Sequence, residues 1–441
     1  MKDLTGLEIT VHSQDALSSF NEAVAQLILF QDPLEAAQRA LQLEPDFAMG
    51  QVLLGYVHLW STDKDDWYTA RDCLHSLTGQ EGRVNRREQM HIRALEVWVK
   101  GDMRSAAHVL DALLYEYPTD VLALMTGHQL DFFLGDALNL RGRVARALPY
   151  WDKEHPLYGC LLGMYSFGLE EAGELRRAEE AAMASVAAND LDIWGIHAVA
   201  HALDMLGEFD KGEQFMARYE PQWSVNNLMI THNAIHYDLF MLEQNRLDDI
   251  VRNYDRDVHP EGSPPLPMAL VDASSVLWRL YLEKVETGDR FRQLADNWDH
   301  KKGQQFYVFN DAHAMMAYAG AGDHKAAQEV LASLNRYLQG NHQHESNYAM
   351  TANVGLPVCE AVYDFSLGRY ASVVDKLLPL RYTAHQFGGS HVQRDVLERT
   401  LLEAAIRDGN RALAGSLLAE RAGSRPLSTY NLQKQERIRS L

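Results

Sequence analysis

The chain has 441 residues, and its 61 acidic side chains outnumber its 41 Lys and Arg side chains, which leaves a formal charge of −20. A hydrophobic fraction of 46% and a charged fraction of 23% are those of a globular protein, and they exclude wholesale disorder and fibrous repeats. The acidic balance disfavours binding to phosphate backbones and anionic lipid, so we expect neither nucleic acid nor a membrane as a partner.

The first residues show neither the basic region nor the apolar run of a secretion signal, and later apolar stretches are interrupted before ~20 residues. Cys73, Cys160 and Cys359 are too sparse for a disulfide framework and lack the CxxC spacing of a metal site. These features are typical of a cytoplasmic protein, which is the location we expect.

Glycines mark predicted helix ends at a repeated interval. Gly101 and Gly135 are 34 residues apart, and Gly288 and Gly322 are again 34 residues apart. This is the period of the tetratricopeptide (TPR) helical hairpin. Glycine tolerates the left-handed backbone at a helix end, and the acidic residue that follows it can cap the next helix. Each glycine is therefore expected between helix A and helix B of one hairpin.

The repeat predicts an all-α fold, a TPR-like solenoid of about ten or eleven antiparallel helix pairs curved around a central cavity or groove. We expect one continuous domain over residues 1–441, with helices from near Asp15 to near Arg421 and a short tail at 422–441. The proline-rich segment 259–267 cannot be helical, so it is expected to be a hinge or a covering loop.

Two predicted A helices carry histidine pairs. His197 and His201 are four residues apart, as are His232 and His236, so each pair lies on one helix face. His197 and His232 are 35 residues apart, about one repeat, which makes the pairs lateral neighbours in the array. We therefore expect four imidazoles to face a common cavity.

Other polar residues interrupt apolar helix faces further along the chain, where burial requires a partner or a ligand. These residues and the histidines are the main functional signal of the sequence. The candidate catalytic residues are His197, His201, His232, His236, Asp238, Asp272, Asp311 and His313. The candidate substrate-binding residues are Trp194, Asn233, Asn310, His391, Arg394 and Asp395.

Each of these assignments has an alternative. The four histidines could form a structural hydrogen-bond network or a polar pocket; a divalent metal such as zinc is the less favoured interpretation, because the segment lacks the glutamate of HExxH, and no cofactor is predicted. Asp311 could be an N-cap. His391, Arg394 and Asp395 follow Gly388–Ser390, where helix N–H groups could hold a carboxylate or phosphate, or Arg394 could pair with an internal acid.

Five segments in order resemble tetratricopeptide repeat protein 38 and its bacterial relatives: HAVAHALDMLGE, THNAIHYDLFMLE, LVDASSVLWRL, FNDAHAMMA and GGSHVQRD. The resemblance runs from about Pro45 to Arg399 and implies an α-helical TPR-like protein whose biochemical role is largely undefined. Ala234 and Ile235 stand where the family usually has a bulky aromatic pair, and Asp238 follows His236. This departure suggests an enlarged pocket with an added carboxylate.

Two functions follow from these observations. One is a His/Asp-rich interior pocket that binds a small polar or anionic molecule and acts on it by general acid–base chemistry, such as isomerisation, elimination or hydrolysis. The other is a non-catalytic scaffold that holds a protein or peptide in its concave groove. The sequence leaves open which applies, and with it enzyme activity, metal dependence and oligomeric state.

Overall fold

The computed structural model describes residues 1–441, apart from the side chain of Glu81. The helices of its first half are α1 (Gln14–Ile28), α2 (Leu34–Leu43), α3 (Ala48–Trp60), α4 (Lys64–Ser76), α5 (Arg86–Val99), α6 (Met103–Glu116), α7 (Val121–Phe133), α8 (Ala137–Ala147), α9 (Tyr158–Glu171), α10 (Leu175–Ala188), α11 (Ile193–Met205), α12 (Phe209–Arg218) and α13 (Glu220–Trp223).

The helices of the second half are α14 (Ile230–Glu243), α15 (Leu247–Asn253), α16 (Pro267–Leu282), α17 (Arg290–Trp298), α18 (Val308–Gly320), α19 (His324–Gln339), α20 (Ser346–Met350), α21 (Leu356–Ser366), α22 (Tyr370–Leu377), α23 (His391–Arg407), α24 (Arg411–Ser424) and α25 (Thr429–Arg439). Apart from the short α13 and α20 and the terminal α25, the helices of the described chain form eleven consecutive hairpins. The predicted all-α, TPR-like array is confirmed.

The glycines lie at the turns inside the hairpins, as predicted. Gly101, between α5 and α6, has φ +88°, and Gly135, between α7 and α8, has φ +63°. A Cβ at Gly135 would lie 1.8 Å from the carbonyl oxygen of His385, so this turn also requires glycine for close packing. Asp102 and Asp136 then cap α6 and α8 by accepting hydrogen bonds from backbone N–H groups.

The array curves until early hairpins contact late ones. Asn310, on α18, donates to the carbonyl oxygen of Thr62 at 3.1 Å, just after α3. The Tyr307 hydroxyl donates to the carbonyl oxygen of Phe133, at the end of α7, at 3.2 Å. These contacts close the curve, so the A helices lie at the centre of the molecule.

The A helices near this centre are buried on almost all sides. Every residue of α11 from 193 to 204 is buried, and α14 is buried from His232 to Glu243 except at Tyr237. A helix buried all round must satisfy or tolerate every polar group that it carries. The polar residues of α11 and α14 are therefore candidates for a functional site.

The proline-rich segment 259–267 and the C-terminal segment 422–441 differ in structure. The chain between α15 and α16 is non-helical from His259 to Leu266, whereas Pro267, the last residue of the proline-rich segment, is the first residue of α16. Residues 422–441, expected to be a tail, include α25, whose Tyr430 and Lys434 are each 1% exposed. Among the described helices, none combines the length and apolarity needed to cross a bilayer.

Candidate functional site

Four histidine rings meet between α11 and α14. His197 and His201 come from α11, and His232 and His236 come from α14. Five of the ring pairs have centroids 4.5–4.9 Å apart, and no residue of the four is more than 7% exposed. The i, i+4 spacing aligns each pair on one helix face, and the packing of adjacent hairpins brings the two faces together. We call these four residues the histidine cluster.

His232 is the hub of the hydrogen bonds in the cluster. Its Nδ1 lies 2.9 Å from Oδ2 of Asp272 on α16, and its Nε2 lies 3.0 Å from Nε2 of His197 and 3.3 Å from Nε2 of His236. Because a carboxylate only accepts hydrogen bonds, we assign the proton of neutral His232 to Nδ1. Its Nε2 then presents a lone pair to the centre of the cluster.

Several buried ring nitrogens have no hydrogen-bond partner among the described residues. They are Nδ1 of His197, Nδ1 of His236 and both ring nitrogens of His201. Nδ1 of His201 lies 3.3 Å from Oε2 of Glu170, but the two groups are not aligned as a hydrogen bond. Buried polar atoms without partners are costly and uncommon, so the cluster is not a self-sufficient hydrogen-bond network.

Burial also favours the neutral form of two of the rings, His197 and His236. The pKa of His197 is well below its ordinary value because of burial first and then the neighbouring imidazoles. The pKa of His236 is lowered by burial, by His201 and His232, and by the guanidinium of Arg279. Neutral imidazoles keep a lone pair at neutral pH, which is the form that binds metals or accepts protons.

The geometry of the cluster is compatible with a metal ion. One ring nitrogen from each of the four histidines lies within 4.8 Å of all the others. Zinc held tetrahedrally at roughly 2.0–2.1 Å from each nitrogen separates the nitrogens by roughly 3.4 Å. The two Nε2 to Nε2 distances of 3.0 and 3.3 Å already approach that value. The four histidines could therefore hold a divalent metal with little rearrangement.

A second group of ligating side chains adjoins the histidine cluster. Oε1 of Glu170 lies 3.3 Å from Nδ1 of His391, and Oε2 of Glu171 lies 3.5 Å from the same nitrogen. Burial raises the pKa of Glu170, but contact with His201 and His391 outweighs it and lowers this pKa to about 2. Glu170 therefore stays ionised between two histidines.

The residues predicted at the start of α23 hold a carboxylate, but it is an internal one. The backbone N–H of His391 donates to Oε1 of Glu171 at 2.6 Å, and Nη2 of Arg394 donates to Oε2 of Glu171 at 3.1 Å. Asp395 lies farther along the helix and accepts from Nε of Arg399 at 2.6 Å. The start of α23 therefore binds an internal carboxylate, the side chain of Glu171, and ligand binding there stays a prediction.

Asp238 does not contact the histidines. Its Oδ1 accepts a hydrogen bond from Nδ2 of Asn253, at the end of α15, at 2.9 Å. Residues two apart on a helix point to opposite sides, so Asp238 faces away from the side that carries His236. The expected addition of this carboxylate to the pocket is therefore corrected: Asp272, from α16, is the carboxylate that orients a histidine.

Asp311 and His313 lie on α18. Asp311 is in the first turn and is not the N-cap, because α18 begins at Val308 after the cap residue Tyr307. Burial raises the pKa of Asp311 to about 7. Nδ1 of His313 hydrogen-bonds to the carbonyl oxygen of Phe309 at 2.8 Å, and burial lowers the pKa of His313 to about 4. Neither residue hydrogen-bonds to the histidine cluster in the described structure.

Three predicted ligand-binding residues have different surroundings. Trp194 covers the cluster, with its ring centroid 4.6 Å from that of His197 and stacked at 4.7 Å on Phe30. Asn233 is fully buried, and both polar atoms of its amide lack a hydrogen-bond partner among the described residues. Asn310 is engaged with Thr62 at the closure of the array.

Sequence reasoning missed Glu170 and Glu171, although a signal was present. They are the last two residues of α9, before the turn glycine Gly173. The C-terminal end of a helix carries partial negative charge, so two adjacent carboxylates there need cationic or ligand partners. That requirement could have pointed to the histidine and arginine that the structure supplies.

No protein-family model matches the chain. Among solved structures, the chain is similar to the human IFIT1 dimer with m7Gppp-AAAA, at 13% identity and a TM-score of 0.38, over 98% of this chain and 95% of that chain. It is also similar to the human IFIT1 dimer with PPP-AAAA, at 12% identity and a TM-score of 0.38, over the same shares.

The expectation excluded nucleic acid as a partner, and this exclusion is corrected. The two IFIT1 structures contain m7Gppp-AAAA and PPP-AAAA, which is a property of those proteins. The expectation used the net charge of −20, which sums over the whole surface. A sum of this kind does not describe the potential of one local site, so it cannot exclude such a partner.

Proposed function

We propose that this protein is a zinc-binding helical-repeat protein of the tetratricopeptide repeat protein 38 type, with the metal held by the histidine cluster. The observation that supports this most is the convergence of four buried ring nitrogens within 4.8 Å. The five ordered motifs support the family assignment.

Zinc is the ion that best matches these donors. Four neutral imidazoles are borderline donors that suit zinc, copper, iron and nickel, and an arrangement around one centre favours the tetrahedral ion. Zinc takes four nitrogen ligands in a tetrahedral shell, whereas Cu²⁺ and Ni²⁺ favour a square-planar or tetragonal arrangement of their donor nitrogens. Zinc is therefore the expected occupant.

The surroundings of the cluster supply the outer contacts that metal-bound histidines use. Oδ2 of Asp272 fixes the Nδ1 proton of His232 and directs its Nε2 to the centre. Glu170 lies beside Nδ1 of His201 and is placed to do the same when the ring is aligned by a metal. Four protein ligands fill a tetrahedral shell, so the zinc would fasten α11 to α14.

The test is metal binding by the full chain after removal of metal with a chelator. We expect one Zn²⁺ per chain by elemental analysis and native mass spectrometry, and a Co²⁺ absorption spectrum typical of tetrahedral nitrogen ligands. At free zinc 100-fold above Kd, the gain in the free energy of unfolding is about 2.7 kcal/mol.

His236→Leu should abolish stoichiometric binding and the zinc-dependent gain in stability. The metal-free variant should still fold, because an apolar side chain replaces an imidazole whose Nδ1 lacks a partner. His344→Ala is the matched control, since His344 is exposed and far along the chain. A wild-type chain that takes up neither Zn²⁺ nor Co²⁺ would refute the proposal.

A second candidate function is metal-free acid–base catalysis by His232. The 2.9 Å contact between Nδ1 of His232 and Oδ2 of Asp272 holds the imidazole in the orientation that a general base needs. His232 is also the most exposed of the four histidines, at 7%. In that case the purified protein would carry no metal, and zinc would leave its thermal stability unchanged. Elemental analysis therefore separates the two candidates.

A further inference from the structure

A large cavity lies beside the second ligand group. Its volume is about 710 Å³, and Glu171, His391 and Arg394 are among the side chains that line it. The side chain of His391 is 39% exposed, whereas Glu170, directly behind it, is fully buried. His391 is thus the accessible end of a row of ligating groups that leads inward.

Glu170 connects the two groups of ligands. Its Oε1 lies 3.3 Å from Nδ1 of His391, and its Oε2 lies 3.3 Å from Nδ1 of His201 in the histidine cluster. Oε2 has no hydrogen-bond partner among the described residues. The carboxyl group of Glu170 thus lies between two imidazoles, and its fully buried Oε2, which lacks such a partner, points to a cation that it contacts at some stage.

The charges around this carboxylate favour a cation. Glu171 is engaged by Arg394 and by the backbone N–H of His391. Glu170 has no Arg or Lys partner within the described chain, and its carboxylate oxygens lie beside His201 and His391. Glu170 therefore presents a carboxylate without an Arg or Lys partner beside His391, and a carboxylate attracts a divalent cation.

The histidine cluster itself needs a route for its metal, because its members are at most 7% exposed. Glu170, Glu171 and His391 each offer one ligand atom, and these atoms all lie within 4.8 Å of one another. Three mixed oxygen and nitrogen donors hold zinc less firmly than four imidazoles do. Such a set can accept an ion and release it inward.

We propose that Glu170, Glu171 and His391 form a transfer site, through which a divalent metal passes from the cavity to His201 and the histidine cluster. This inference rests on the proposed zinc function. The transfer site changes the rates of loading and release and leaves the final affinity unchanged, because a site used only in transit contributes equally to both directions.

The experiment follows Co²⁺ and Zn²⁺ loading of the metal-free full chain by stopped-flow, using Co²⁺ absorbance and a zinc-sensitive dye, and then follows extraction by EDTA. We expect His391→Ala to slow both loading and extraction by about tenfold or more, with Kd within about twofold of wild type. His385→Ala is the matched control, because His385 lines the same cavity and should leave both rates unchanged.

His391→Gln is a second variant that keeps side-chain size in the first turn of α23, and it should slow loading in the same way. If wild type binds one metal and both His391 variants load at the wild-type rate, the transfer site is refuted and the zinc function stands. If the variants lose affinity in step with rate, His391 belongs to the resident site and the transfer role is refuted. If wild type binds no metal, both proposals fail.

Discussion

Helices α11 and α14 each bury two histidines and, near the C-terminal end, a carboxylate. The carboxylates have hydrogen-bond partners within the described chain, whereas several histidine nitrogens do not. The carboxylates, Asp204 and Glu243, are saturated with partners. Asp204 accepts from both Nη1 and Nη2 of Arg425 at 2.9 and 3.0 Å, and Glu243 accepts from Arg399 and Arg421.

The arginines of this ionic cluster lower the pKa of Glu243 and of Asp395. Burial raises the pKa of Glu243, but the guanidinium groups of Arg421, Arg399 and Arg425 outweigh it and lower this pKa. Asp395 accepts from Nε of Arg399 at 2.6 Å and is held ionised in the same way. These charges satisfy one another without any ligand.

The histidine cluster lies on the same two helices and is left with unpartnered ring nitrogens. Both sets are buried, so burial alone does not mark a functional site. The ionic cluster and the histidine cluster differ in whether other side chains of the protein supply hydrogen-bond partners for their buried polar atoms. A satisfied buried cluster stabilises one packing arrangement, and an unsatisfied one indicates a ligand.

The largest expected effect is on the ionic cluster. Glu243→Gln removes the charge that three buried arginines share, so the free energy of unfolding should fall by about 3–5 kcal/mol. Denaturant unfolding followed by circular dichroism measures this loss, and zinc affinity should change only as far as the fold loosens.

The matched control for that loss is Glu213→Gln. Glu213 pairs with Arg246 at the surface, where the arginine side chain is 41% exposed. Exposed pairs contribute about 0–1 kcal/mol. Equal losses in the two variants would show that the buried cluster is no more important for stability than a surface ion pair.

The second largest expected effect comes from Asp311, a buried carboxyl group on α18. Burial raises the pKa of Asp311 from 3.8 to about 7, so the folded chain keeps a proton that the unfolded chain releases near pH 4. Stability should therefore fall as pH rises from about 4 to 7 and stay reduced above that. At about 1.4 kcal/mol per pKa unit, the upper bound of this loss is about 4 kcal/mol.

Asp311→Asn should remove this pH dependence and make the protein more stable than wild type at pH 8, as measured by urea unfolding across that range. Asp248→Asn, at an exposed position, should leave the wild-type pH profile unchanged. An unchanged slope in Asp311→Asn would mean that the folded protein ionises Asp311 as readily as the unfolded chain does.

The smallest expected effect is on the outer contact of the histidine cluster. Asp272→Asn should weaken zinc binding by about 10–100-fold, because the carboxylate no longer fixes the Nδ1 proton of His232. Chelator competition measures the affinity. Asp238→Asn is the control, because Asp238 is equally buried on α14 but accepts a hydrogen bond from Asn253. The zinc affinity of this variant should match that of wild type.

Much of the architecture could be predicted because its signals are local. A glycine such as Gly101 marks a hairpin turn through its own left-handed backbone. Four-residue spacing places His197 and His201 on one face, and a 35-residue interval places His232 beside His197. These inferences need only helix geometry and the repeat.

Contacts across the closed array were not predictable in the same way. The pairing of Glu170 with His391, 221 residues away, depends on where the curved array meets itself. The same closure brings Arg425 to Asp204. Repeat spacing relates each hairpin only to its neighbours, so small rotations per hairpin must accumulate before such partners are defined.

The amino-acid sequence by itself determined an array of helical hairpins and the alignment of two histidine pairs on adjacent helices, because glycine conformation and helical periodicity act over a few residues. The tertiary structure decided which buried groups are satisfied. Closure of the array delivers Arg425 to Asp204 and His391 to Glu170, and four ring nitrogens of the histidine cluster are left without hydrogen-bond partners among the described residues.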